Sequence, residues 1–155
     1  YLSEIYEAVY GPLGPAYFHR RLAMLHCVSS YPCSTEDCNL SAIKTIHDQF
    51  IGNLTVGWSD HTLNIDYIPE LAVHLGAKII EKHVKLADND SADSRHSITT
   101  EQLGVMIKNI KDSITAIGDG RKIPKPSEMH DRLWARRSQA GWLRPTEEAR
   151  QGRWQ

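Results

Sequence analysis

The stretch Leu54-Thr-Val-Gly-Trp-Ser-Asp-His-Thr62, read together with Ile79-Ile-Glu-Lys-His83, decides the architecture of this chain. Each looks like the end of a buried β-strand that delivers a histidine. In the second run, the two-residue period of a strand puts Ile79, Glu81 and His83 on one face and Ile80, Lys82 and Val84 on the other. A carboxylate and an imidazole behind an isoleucine are costly for a core to hold, because unpaired ionisable groups resist burial. A metal, a substrate or a counter-charge must meet them. His61 falls just past a strand end, where a parallel sheet places its ligand-binding loops. The reading favoured is one divalent-metal site shared by His61 and His83.

Working outward, Leu22-Ala-Met-Leu-His-Cys-Val28 reads as a strand buried on both faces, followed by the loop Ser29-Ser-Tyr-Pro-Cys33. Leu40, Ile43, Ile46, His47 and Phe50 recur at helical spacing, with Asp37 or Asn39 as candidate caps. Gly57 inside the second strand marks a close approach of another backbone or a ligand. Pro69 suits the first turn of the next helix and Gly76 its C-terminal cap. The third strand, 78–84, leads into a polar loop, 87–97. The last helix carries a capping box, Thr99 with Gln102, and one stripe of Leu103, Met106, Ile107, Ile110, Ile114 and Ile117 before Gly118. Near the start, Ile5, Ala8 and Val9 share a face of a short helix stopped by Gly11-Pro-Leu-Gly-Pro15. Strand ends thus repeat at roughly 25 to 30 residues, each followed by a helix, the cadence of βα units in a parallel sheet. Right-handed crossovers bring the strand ends to one side and make His61 and His83 neighbours. The fold class is α/β, with the chemistry at the strand C-termini.

The 155 residues suit one ordinary domain, 41% hydrophobic and 24% charged, and a net charge of −1 offers nothing to nucleic acid or an anionic membrane. No apolar run approaches the roughly 18 residues of a membrane span, and no signal-peptide pattern opens the chain. Cys27, Cys33 and Cys38 are odd in number and lack zinc-site spacing, which suits reduced packing thiols in the cytoplasm. His26 reads as a hydrogen-bonded core residue, the three methionines as packing, and Arg121, Lys122 and Lys125 as a solvated loop. Ser59-Asp60-His61 cannot form a nucleophile relay, since neighbours on an extended chain point to opposite faces. The start at Tyr1 and the polar, aperiodic run 139–155 suggest a fragment of a longer protein.

Leu25-His-Cys-Val-Ser-Ser-Tyr-Pro32, Gly57-Trp-Ser-Asp-His-Thr62 and Glu81-Lys-His83, in this order, resemble the sialic acid synthase (N-acetylneuraminate synthase) family. Gly118-Asp-Gly120, Lys125-Pro-Ser-Glu128 and Ala135-Arg-Arg-Ser138 extend the resemblance. It implies a partial TIM (β/α)8 barrel, the last three βα units with parallel strands, over residues 1–138, with 139–155 a tail or linker. The implied activity joins phosphoenolpyruvate to N-acetylmannosamine or a related aminosugar, releasing phosphate, in a cytoplasmic enzyme that is a homodimer at full length. By position, His61 and His83 would ligate a divalent metal, Mn²⁺ or Mg²⁺. Ser29 and Ser59 would hold phosphate, and Tyr31, Glu81 and Asp93 would line the sugar or the reacting centre, with Glu81 and Asp93 in catalytic roles. The first five strands and the C-terminal domain of the family would lie outside this chain, which alone is expected to be inactive.

Lys85 and Ala87 depart from the family pattern, which has Thr and Asp there. Ser91-Ala-Asp-Ser94 keeps Asp93 but lacks a proline and a histidine usual in that loop. His96 is read as an exposed loop residue, with substitution for that histidine as the alternative. Glu81 has a bland alternative too, a structural ion pair with a lysine. Two other functions stay open: a non-catalytic barrel fragment with residual metal binding, and an aldol-type barrel enzyme with another acceptor.

Overall fold

In the computed structural model of the chain, residues 2–5, 7–8, 22–50, 54–86, 91–135 and 152 are described. Three parallel strands, β1 (Ala23–Cys27), β2 (Thr55–Asp60) and β3 (Ile79–Lys82), form one sheet in the order β1-β2-β3. Between them run the helices α2 (Ser41–Gln49) and α3 (Tyr67–His74), after a single opening turn, α1 (Leu2–Ile5). Sequential strands are therefore spatial neighbours, as the βα cadence predicts.

Alternation along the strands sorts their side chains. Met24, Leu54, Val56, Trp58 and Ile80 meet Ile43, Ile46, Ile68 and Ala72 of the helices in one apolar core. Trp58 and Ile43 are fully buried, each worth about 1.5–3 kcal/mol of apolar transfer. The opposite face carries Cys27, Gly57, Ile79 and Glu81. At Gly57 an added Cβ would stand 2.6 Å from the Ile79 carbonyl oxygen, so the expected close approach is to the backbone of β3.

Several expectations need correction. β1 is half-buried rather than enclosed, and Cys27 is exposed. Ile79 is 40% exposed and Glu81 is exposed as well, so the burial penalty inferred for Glu81 does not arise. Among the described residues the helices pack one face of the sheet, and Glu81 lies on the other. Neither Asp37 nor Asn39 caps α2: the residue before it is Leu40, while the Asp37 carboxylate accepts from Ser34 Oγ at 2.9 Å. Asn64 takes the role at α3, its Oδ1 accepting from the amides of Asp66 and Ile68 at 3.1 Å each.

The chain breaks step at His83. β4 (Val84–Lys85) pairs in parallel with β5 (Ile98–Thr99), a separate two-stranded ribbon that the sequence pattern did not announce. α4 (Thr100–Ile117) follows, capped as predicted: Thr99 Oγ1 accepts from the Gln102 amide and Gln102 Oε1 from that of Thr99. Its stripe is only partly used. Met106 is buried, but Ile114 and Ile117 are 51% and 61% exposed. No helix is long and apolar enough to cross a membrane among the described residues.

Residues 1–118 and 119–155 are two compact units. In the second, a 3-10 turn (Pro126–Glu128) and α5 (Arg132–Ala135) are described, and Arg121, Lys122 and Lys125 are exposed as expected. Val9, the stop 11–15, Ala87 and, apart from Gly152, the tail 139–155 lie outside the described residues.

Candidate metal and substrate site at the strand ends

The register of the sheet sets the site. Cys27, Ser59 and Glu81 stand level across the strands, and Asp60 stands level with Lys82. The residues that follow that last pair are His61 and His83, and their rings lie side by side, 5.3 Å between centroids and tilted by 58°.

Behind them, on the helix side, lies a feature the sequence analysis missed. Lys82 Nζ donates to Asp60 Oδ2 at 2.8 Å, with the two side chains 2% and 0% exposed. Asp60 Oδ1 accepts from the Thr62 amide at 2.8 Å, and the ammonium also donates to the Thr62 carbonyl oxygen. Such a buried pair holds only when the remaining lone pairs and protons are satisfied, as here. It joins the ends of β2 and β3 one residue before each histidine. The signal was in the sequence: Asp60 and Lys82 have the same 22-residue separation as the histidines, on a face otherwise apolar.

His61 is buried and doubly held. Its carbonyl oxygen accepts from the Cys33 amide at 2.9 Å, and its Nδ1 lies 2.8 Å from the Val28 carbonyl oxygen. A carbonyl only accepts, so Nδ1 carries the hydrogen, which leaves Nε2 as the ring's ligand atom. Tyr31 lies over this ring at 4.1 Å between centroids and meets His96 at 5.0 Å.

His96 requires the main correction. It is 6% exposed, not a solvated loop residue, and its ring stands 4.5 Å from that of His83 at 74°. The loop is tied inward by three bonds. Ser97 Oγ donates to the Asp93 carbonyl oxygen at 2.6 Å, Lys85 Nζ to that of Ser94 at 3.3 Å, and the Ile98 amide to that of His83 at 3.0 Å. Sequence periodicity could not show this, because the tether joins two-residue strands across a polar loop.

The ligand atoms of His83, Asp93 and His96 all lie within 4.8 Å of one another. His96 Nε2 is buried and has no hydrogen-bond partner among the described residues; it faces Asp93 Oδ1 at 3.5 Å without hydrogen-bond alignment. Two ligands on one ion with bonds of about 2.1 Å stand at most about 4.2 Å apart, so the set needs little closure to hold a cation. Two imidazoles and a carboxylate suit a divalent metal, so the residues fit one.

Of the residues singled out from the sequence, Tyr31, His61, His83 and Asp93 come together at this edge, joined by His96. Ser59 is buried and Glu81 exposed, one step back along the open face. Among the described residues Glu81 makes no ion pair; the lysine pair belongs to Asp60. Ser29 is exposed in the loop after β1, two residues before Tyr31. His26 is hydrogen-bonded as expected, with Nε2 3.0 Å from the Cys38 carbonyl oxygen, but it is half-buried rather than part of the core.

Fold and site together define an α/β domain whose parallel sheet gathers imidazoles at its carboxyl edge. A model of the NeuB family matches residues 2–122, and the chain belongs to that family. It is 42% identical over 118 residues to the N,N'-diacetyllegionaminic acid synthase of Legionella pneumophila, covering 76% of this chain and 32% of that protein. With the pseudaminic acid synthase of Campylobacter jejuni it shares 35% identity over 116 residues, covering 74% and 33% respectively. The crystal structure of the N-acetylneuraminic acid (sialic acid) synthetase of Leptospira borgpetersenii, in complex with citrate, superposes with a TM-score of 0.57. There the identity is 36%, over 70% of this chain and 38% of that one. The chain thus spans about a third of the length of these curated relatives.

Proposed function

We infer that residues 1–138 are the C-terminal part of a (β/α)8 barrel, with 139–155 a tail or linker, in a longer enzyme. That enzyme condenses phosphoenolpyruvate with N-acetylmannosamine or a related aminosugar to give a nonulosonic acid and phosphate. The observation that carries the reading is the pair of adjacent imidazoles, His61 and His83, at the carboxyl edge of a parallel sheet. Barrel enzymes build their chemistry at that edge.

His61 and His83 would hold a divalent cation, Mn²⁺ or Mg²⁺. When bound, it supplies a Lewis acid for the sugar aldehyde. The methylene carbon of phosphoenolpyruvate bonds to that aldehyde carbon, water adds at the enol carbon, and phosphate leaves with cleavage of its C–O bond. Ser59 and Ser29 bind the phosphate oxygens with their hydroxyls. Tyr31 packs on the His61 ring and offers the sugar a flat wall, and Asp93 lines the reacting centre beside His83 and His96. Glu81, on the open face beside Ser59, takes the proton of the adding water. The other groups that grip phosphoenolpyruvate belong to the first part of the barrel. The full-length enzyme acts as a cytoplasmic homodimer.

The test is phosphate release by the full-length gene product from phosphoenolpyruvate, with and without aminosugar, before and after chelation. Release that needs both the sugar and the metal is expected. Absent or sugar-independent release rejects the reading.

A further inference from the structure

We propose that His96 is a third imidazole donor to the cation, and that it biases the site toward Mn²⁺ and against Mg²⁺. The inference rests on the metal site of the preceding reading and extends it by one residue. Three observations carry it. First, the turn Ser94–His96 belongs to a largely exposed loop, with Ser91, Ala92, Asp93 and Arg95 all in solvent, yet its imidazole is 6% exposed. Second, the Nε2 that this burial closes off has no hydrogen-bond partner among the described residues. An unsatisfied buried polar group is costly unless something meets it. Third, its ligand atom and those of His83 and Asp93 lie within 4.8 Å of one another, a set that His61 flanks from outside, its ring 6.5 Å from that of His96.

The placement is built into the fold. Pairing of Val84 with Ile98 and of Lys85 with Thr99 fixes both ends of the loop, and Ser97 and Lys85 tie its middle. Packing of His96 on Tyr31 alone would leave the nitrogen orphaned. The chemistry sets the selectivity. Mg²⁺ favours oxygen ligands in a strict octahedron and keeps its waters, whereas imidazole nitrogen suits softer divalent ions. Each added imidazole therefore tilts the site away from Mg²⁺.

The experiment uses the full-length gene product and its His61→Ala, His83→Ala, His96→Ala and His96→Phe variants. Mn²⁺ and Mg²⁺ are titrated separately by calorimetry, and folding is followed by circular dichroism without metal. His96→Phe keeps a flat ring in the buried space and removes only the donor. Both His96 variants are expected to lose at least about tenfold in Mn²⁺ affinity, with a smaller change for Mg²⁺. Pulsed electron paramagnetic resonance of the Mn²⁺-loaded wild type, with ¹⁵N-labelled histidine, counts the bound imidazoles directly. Three nitrogens support the proposal, and two overturn it even if both His96 variants fail to fold. Loss of Mn²⁺ binding in His83→Ala but not in the His96 variants overturns this inference and leaves the preceding reading standing. Wild-type Mn²⁺ binding in both His61→Ala and His83→Ala sinks the two together.

Discussion

Removing the Asp60 carboxylate would strand the Lys82 ammonium in a place water does not reach, since both side chains are closed to solvent. Breaking one member of such a pair costs about 3–5 kcal/mol. Asp60→Ala is therefore expected to lower the urea midpoint of the full-length protein sharply. The double variant Asp60→Leu/Lys82→Met should recover most of that loss, because no lone charge remains buried. Equal destabilisation in single and double variants would refute the ion-pair account. The thiols give a second test at this scale. Burial pushes Cys38 from 9.0 up to about 12 and raises Cys33 as well. Folded Cys38 keeps its proton where the unfolded chain has lost it. Its contribution to stability is thus fully present below pH 9 and is lost as pH rises from 9 toward 12. The alkaline fall in melting temperature should be shallower in Cys38→Ala, and at pH 8 a thiol reagent should label exposed Cys27 well before Cys33 or Cys38.

Among the elements, α4 depends on its first turn. The reciprocal bonds of Thr99 and Gln102 satisfy two amide donors that the helix cannot satisfy itself. Thr99→Ala is expected to cost about 1 kcal/mol in chemical denaturation. It should also loosen Ile98, which bonds to the His83 carbonyl oxygen, so the proposed metal site feels the cap. This cap was legible because the capping box is a local pattern. The caps of α2 and α3 were less so: Asp37 is taken by Ser34, while Asn64 acts from outside the helix at two amides. The β4–β5 ribbon could not be seen at all, since two residues are too few for a period to register.

On the scale of the molecule, one sheet face and one helix stripe lack cover among the described residues. β1 and β3 are edge strands of the described sheet; Leu86 is 73% exposed, and Ile79, Ile107, Ile114 and Ile117 are also in solvent. Unpaired edges beside apolar surface invite pairing between chains. The 155-residue chain on its own is expected to self-associate, with a sedimentation coefficient that rises over the micromolar range. A monomer with a sharp melting transition independent of concentration would contradict this.

Strand and helix order, the parallel arrangement, the Thr99 cap, the close approach at Gly57 and the adjacency of His61 and His83 follow from the sequence. Each rests on local periodicity or on the handedness of short connections, and the chain writes both in order. Which sheet face is covered, the burial of Asp60 against Lys82 and the inward turn of His96 required the tertiary structure. These depend on what packs against a residue from elsewhere in the chain. A charge or an imidazole looks the same in sequence whether water or a buried partner meets it.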